Sequence, residues 1–192
     1  TAANNTQTKL EFLGDYTISN NHPNLYLDSI INGYILNEIE DYLDSVNIDS
    51  YMIVNNGTVL VGDYYEKDGK YRIGISSPLK GNDNLLQIIY LDNKAISTKG
   101  IYQNHYEYNG TDYSNIISPI TLMPKNDIIS VTVVAPNAFD AEVMATKLFL
   151  MDIEKGLEIV NSDSNYEAVW CYLTEEKENK CVRSKGFDNL SS

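Results

Sequence analysis

Between Ile128 and Leu150 the chain reads IISVTVVAPNAFDAEVMATKLFL, and few local folds accommodate that order of residues. The β-branched run from Ile128 to Val134 predicts a strand, because such side chains fit a pleated and buried surface. Pro136 and Asn137 interrupt it, and the spacing beyond them predicts a helix from 137 to about 150. Glu142 and Thr146 are four residues apart, which puts a carboxylate and a hydroxyl on one face of that helix. Two readings follow. The oxygens suit a hard cation such as Mg²⁺, or they belong to a capped, solvated first turn.

The rest of the chain reads as strands with a few helices. Leu10 to Ile18 predicts a strand, and the breaker cluster SNNHPN follows it. Next, LYLDSIINGYILNEIEDYLDSVNI predicts an amphipathic helix with Ile31, Ile35, Ile39, Tyr42 and Leu43 on one face and Glu38, Glu40, Asp41 and Asp44 mostly on the other. Gly33 falls in its first turn, where glycine costs about 1 kcal/mol against alanine, so a close backbone approach is expected there. Asn56-Gly57 is a two-residue hairpin signal between strands at 51–54 and 58–63. Further strands are expected at 70–76 and 85–91. Segments 94–102 and 111–117 read as a pair bridged by QNHYEYNG.

A short helix at 152–161 and a hairpin of 166–174 with 180–183 complete the series. Antiparallel strands interrupted by helices predict an α+β fold of mostly antiparallel sheet. The polar residues 1–8 read as a flexible tail, and 9–192 as one domain.

Charge narrows the function classes. Twenty-seven acidic residues stand against 14 basic ones, a net charge of −13, which repels a phosphate backbone and excludes nucleic acid as the expected partner. No apolar run approaches the roughly 20 residues of a membrane span. Cys171 and Cys181 flank TEEKEN in the expected terminal hairpin, where they face each other as a disulfide or stay as two thiols. Neither has a neighbouring histidine, which argues against zinc. His22 and His105 stand in polar contexts without a metalloprotease pattern.

Four segments, in order, resemble the ApbE-type family of FAD:protein FMN transferases. LYLDSIINGY is similar to its early helix, where an Ala-Lys-Gly triplet recurs, and YRIGISSP to its Trp/Tyr-x-x-Gly-Ile-x-x-Pro strand. ISTKGIYQNHYEYNGTDYSNIISP resembles a Thr-Ser-Gly strand leading to His-Ile-Ile-Asp-Pro. VTVVAPNAFDAEVMATKLF resembles Val-Thr-Val followed by Ala-Asp-x-x-Ala-Thr, the most specific of the four.

The resemblance implies an ApbE-like fold related to the T-fold, with FAD or FMN and Mg²⁺ as cofactors. It further implies a flavin-accepting or flavinylated protein as partner. Such enzymes move FMN from FAD to a Ser or Thr hydroxyl and release AMP. The implied metal ligands are Glu142, Thr146 and the carbonyl of Ile31. The implied flavin- and phosphate-approaching positions are Asn32, Gly33, Asn56, Gly57, Gly100 and Asn115. An extracytoplasmic location is implied too, with any lipid anchor on a segment outside this sequence.

Departures from the family pattern concentrate at polar positions. Asn32 stands where the family has Lys, and Lys99 where it has Ser before Gly100. Asn115 and Ser118 replace His and Asp of His-Ile-Ile-Asp-Pro. Glu142 is one methylene longer than Asp. The Asn-x-Gly-Gly-Asp hairpin is reduced to Asn55-Asn56-Gly57-Thr58, and the family's Met-Gly-Thr start has no counterpart. Neutral Asn cannot take a proton from an attacking hydroxyl. These residues therefore predict either a weak or inactive transferase with no assignable catalytic residue, or a non-catalytic flavin-binding or protein-binding scaffold.

Overall fold

The computed structural model describes residues 10–21, 27–67, 69–78, 85–101, 105–108, 111–114, 116–118, 121, 123–125, 127–174, 176 and 178–191. The expected tail over 1–8 lies outside them. In chain order the elements are β1 (Leu10–Gly14), β2 (Thr17–Asn20), α1 (Ile31–Ser45), β3 (Met52–Asn55), β4 (Thr58–Val61), β5 (Tyr71–Ser76) and β6 (Leu85–Leu91). There follow β7 (Lys94–Gly100), β8 (His105–Tyr108), β9 (Thr111–Ser114), β10 (Ile128–Ala135), α2 (Ala138–Leu150), α3 (Ile153–Ser162), β11 (Glu167–Leu173) and β12 (Asn179–Arg183). A short 3₁₀ turn, Phe187–Ser191, was not anticipated.

Every residue of β10 is buried, so this strand needs neighbours on both edges and cover on both faces. It pairs antiparallel with β7 and β11, inside a six-stranded sheet of order β12-β11-β10-β7-β4-β3. Alternation along the strands then sorts the core into two layers. One face carries Val131, Val133, Ala168 and Trp170 against Ala145, Leu148 and Phe149 of α2 and Val160 of α3. The opposite face carries Val61, Ile96, Val134 and Val169 against the β5–β6 hairpin and Phe187. The result is helices, sheet and hairpin in three layers. The observed class is α+β, as expected, and every strand pair among the described residues is antiparallel.

Local chemistry accounts for the hairpins. Asn56 and Gly57 both take positive φ, 47° and 84°, and close β3 onto β4 in the turn that their sequence signals. Cys171 sits directly opposite Cys181 in the β11–β12 register and is bonded to it, with Cα atoms 4.1 Å apart. The disulfide alternative, left open by the spacing, is the one realised.

Three expectations fail. The segment read as one strand over 10–18 is a hairpin of β1 and β2, because Gly14 (φ 118°) and Tyr16 (φ 62°) turn the chain. Segment 94–102 does not pair with 111–117: β7 lies between β4 and β10, and β9 pairs with β8. The core face of α1 is also misassigned. Ile31, Ile35, Ile39 and Tyr42 are exposed and Leu43 is half-buried, while Gly33 and Leu36 are its buried residues. Among the described residues no helix is long and apolar enough to cross a membrane.

Candidate functional site

The site forms where the start of α1, the end of β7 and the second turn of α2 converge. Asn137 caps α2, its side-chain oxygen accepting from the Asp140 N–H at 2.9 Å, as helix N-termini require. Two further first-turn N–H groups, of Ala138 and Phe139, donate to Asn37 Oδ1 from α1 at 3.1 and 3.3 Å. Asn37 thus caps α2 from another helix. Close seating is possible because Gly33 has no side chain: a Cβ there would stand 2.6 Å from the Ala138 carbonyl oxygen and 2.9 Å from Phe139 Cα. The close approach expected at Gly33 is therefore present.

Glu142 is wholly buried in this junction. One carboxylate oxygen, Oε2, accepts from the Gly33 backbone N–H. The other, Oε1, is held by Lys99 Nζ at 2.7 Å. Lys99 comes from the penultimate position of β7, where it lies opposite Val131 on the face covered by α2. Its side chain is 14% exposed, so the pair is screened from bulk water and each member depends on the other. A solvated first turn is excluded for Glu142.

Thr146 lies one turn on. Its hydroxyl donates toward the Glu142 carbonyl at 2.9 Å and the Ser29 carbonyl at 3.3 Å, tying α2 to the approach to α1. Ile31 opens α1, and Asn32 beside it accepts from Asn55 Nδ2 at 3.1 Å. That bond links the helix start to the β3–β4 turn bearing Asn56 and Gly57. The Gly57 carbonyl in turn accepts from Thr98 N at 3.1 Å, next to Lys99. Gly100 is buried at the end of β7, opposite Ser130. Asn115 lies outside the described residues. Ser118 is buried, and its hydroxyl accepts from Thr121 N at 3.3 Å.

Sequence reasoning missed Asn37 and the role of Lys99. The signal for the first was a polar residue one turn after Gly33. For the second it was a cation in place of a small residue before Gly100.

A separate acidic recess is lined by Glu40, Asp44, Asp49, Tyr51, Gly62, Asp63 and Asn93, none of them an expected site residue. Tyr51 donates its hydroxyl to Glu40 Oε1 at 3.0 Å. Burial, then the Glu40 charge, pushes the Tyr51 phenol well above its ordinary value. Burial also raises Glu40, against the Tyr51 hydrogen bond, which lowers it; Asp44 and Asp41 add to the rise.

The donor set around Glu142 does not fit a divalent ion. Both carboxylate oxygens are engaged, one of them by a cation. An ion on Oε1 would stand about 4 Å from the ammonium, where +2 and +1 repel by about 8 kcal/mol at an effective dielectric near 20. Among the described residues no group of three or more His, Cys, Asp or Glu side chains converges on a metal position.

Fold and junction define an antiparallel α+β domain that buries a Lys–Glu pair under a glycine-seated helix. Comparison with known proteins then places it: residues 2–170 match the ApbE family, and the chain belongs to that family. It is similar to the FAD:protein FMN transferase of Vibrio cholerae, 33% identical over 150 residues, covering 77% of this chain and 45% of that protein. The Escherichia coli protein of the same description is 28% identical over 144 residues, covering 73% and 41%. Among solved structures, the flavin transferase ApbE of Vibrio cholerae superposes with a TM-score of 0.76 at 28% identity, covering 94% of this chain and 57% of that one. The ApbE protein of Thermotoga maritima shares the fold, with a TM-score of 0.76 at 23% identity. The chain spans about half the length of the relatives it matches.

Proposed function

We propose that this chain handles flavin nucleotide in the manner of the FAD:protein FMN transferases, with a transfer step much weaker than such chemistry permits. The supporting observation is the junction itself. The Gly33 amide, the Asn56-Gly57 turn, the end of β7 and the Glu142 carboxylate are linked by hydrogen bonds, at the positions that family resemblance assigns to flavin, phosphate and metal. Transfer would form a bond from an acceptor Ser or Thr oxygen to the FMN phosphorus and break the pyrophosphate bond to AMP. The hydroxyl proton leaves with the AMP phosphate or to solvent.

Such a step is accelerated by net positive charge on the phosphate oxygens and by a fixed base. Lys99 and Glu142 together are neutral, and Asn32 and Ser118 are not bases. Slow transfer follows. The Cys171–Cys181 disulfide supports an oxidising, extracytoplasmic compartment.

The second reading is a non-catalytic scaffold that binds a flavin or a flavinylated protein. It is favoured by the engagement of both Glu142 oxygens. Incubation with FAD, MgCl₂ and an acceptor protein separates the two, with AMP release and protein-bound flavin fluorescence as readouts. AMP above the level of a Glu142→Ala control supports transfer. Flavin binding without AMP selects the scaffold, and silence toward both FAD and FMN in titration calorimetry overturns any flavin role.

A further inference from the structure

We propose that the Lys99 ammonium is a built-in replacement for a divalent cation. The unaltered chain is then indifferent to Mg²⁺ at this junction, and removing the ammonium exposes a latent divalent site at Glu142.

The geometry carries the inference. A carboxylate with no exposed surface needs a counter-charge, and in this chain Lys99 Nζ supplies it at 2.7 Å. Lys99 also reaches Glu142 from the sheet, across the space between β7 and α2, which is where an ion bridging the two layers would sit. The remaining oxygens near that space are already placed. The Thr146 hydroxyl is held one turn away by the Glu142 and Ser29 carbonyls, and its oxygen keeps lone pairs free to ligate. Ser97, on the same face of β7 two residues before Lys99, bonds Thr58 through its hydroxyl at 2.9 Å. Shortening Lys99 to Ser removes one positive charge and three carbons' reach. It leaves a buried anion, a nearby hydroxyl and the space vacated by three methylenes and the ammonium.

Divalent-cation binding by the intact chain, without flavin, decides the matter, and its outcome is independent of any transferase activity. Mn²⁺ and Mg²⁺ are titrated calorimetrically into the unaltered protein, Glu142→Gln, Lys99→Ser, Lys99→Arg and Lys99→Ser/Glu142→Gln. Thermal denaturation with and without MgCl₂ runs in parallel. The unaltered chain and Lys99→Arg are expected to show no saturable binding. Lys99→Ser is expected to bind one ion, at least about tenfold more tightly than the unaltered chain, and to gain thermal stability with MgCl₂. The double variant loses both effects. Folding of Lys99→Ser only when MgCl₂ is present also supports the substitution of ion for ammonium. Saturable one-to-one binding by the unaltered chain that disappears in Glu142→Gln overturns the proposal. So does a Lys99→Ser protein that folds, by its far-ultraviolet circular dichroism, yet ignores both metals.

Discussion

Replacing Gly33 by alanine tests the seating of α1 on α2 with the smallest possible change. The added Cβ would lie 2.6 Å from the Ala138 carbonyl oxygen, about 0.8 Å inside an ordinary contact near 3.4 Å, and the obstacle is backbone. Relief requires the two helices to part. Parting stretches the Gly33 N–H bond to Glu142, together with the Asn37 bonds to Ala138 and Phe139, which already measure 3.1 and 3.3 Å. Overpacking costs about 1–3 kcal/mol, and weakening a hydrogen bond to a charged group about 1.5–3 kcal/mol. Alanine returns up to about 1 kcal/mol of helix propensity. With that gain subtracted in full, the net loss is about 1.5–5 kcal/mol. Urea denaturation measures it, because the single tryptophan, Trp170, is wholly buried and reports unfolding by fluorescence. With a slope near 2 kcal/mol per molar, the midpoint falls by roughly 0.8–2.5 M. Ile35→Ala, on the exposed face of the same helix, is the control and should move stability by about 0.5 kcal/mol or less. A Gly33→Ala midpoint equal to or above the unaltered one refutes the reasoning.

Other perturbations probe separate links. Asn37→Ala should cost about 2 kcal/mol in the same assay, since it strips two first-turn N–H groups of α2 of their acceptor; a change below about 0.5 kcal/mol would show that water serves them equally well. Opening the Cys171–Cys181 bridge, which spans a sequence separation of 10, should cost about 2–3 kcal/mol, read as the midpoint difference between oxidised and reduced protein; an unchanged midpoint argues against it. Glu40 binds its proton more tightly in the folded state, so the folded chain holds more protons than the unfolded one above the ordinary carboxylate range, and stability falls as pH rises through that window. Glu40→Gln should therefore raise the melting temperature at neutral pH and leave it nearly unchanged below the carboxylate range; an equal shift at both pH values contradicts the assignment.

Legibility in the sequence followed the range of the interactions. The β10–α2 unit was readable because a β-branched run, a Pro-Asn break and a helical repeat are local signals, and the Asn56-Gly57 turn was readable for the same reason. The hairpin cysteines were readable as facing residues but not as bonded ones. The face of α1 was not readable from apolar spacing. Ile31, Ile35, Ile39 and Tyr42 form the more apolar stripe, yet the helix buries Gly33 and Leu36 and turns Asn37 toward α2. A small residue and a polar one mark contact with another backbone, and apolar periodicity counts neither. Asn109-Gly110 is the same two-residue signal as Asn56-Gly57, and it predicts the β8–β9 pairing once it is weighed as a turn instead of a bridge between 94–102 and 111–117. The Lys99–Glu142 pair spans 43 positions, and no local pattern announces a contact at that distance.

That pair also joins two departures that look unrelated along the sequence. A glutamate in place of aspartate adds one methylene to the carboxylate's reach, and a lysine in place of serine brings a cation to meet it. Either change alone is costly in a buried junction: Lys99 without Glu142 would be an ammonium held against apolar Val131 and α2, and Glu142 without Lys99 a bare anion. Together they neutralise each other and keep the Gly33 amide bonded, so α1, β7 and α2 stay assembled without help from an ion. If flavin nucleotide binds here as proposed, the same neutrality would leave its pyrophosphate no excess positive charge at this pair. On the function proposed above, retention of the fold and a weak transfer step would share one electrostatic cause, and Lys99→Ser should move both: it gives up part of the junction's stability and opens the carboxylate to a cation that a phosphate could share.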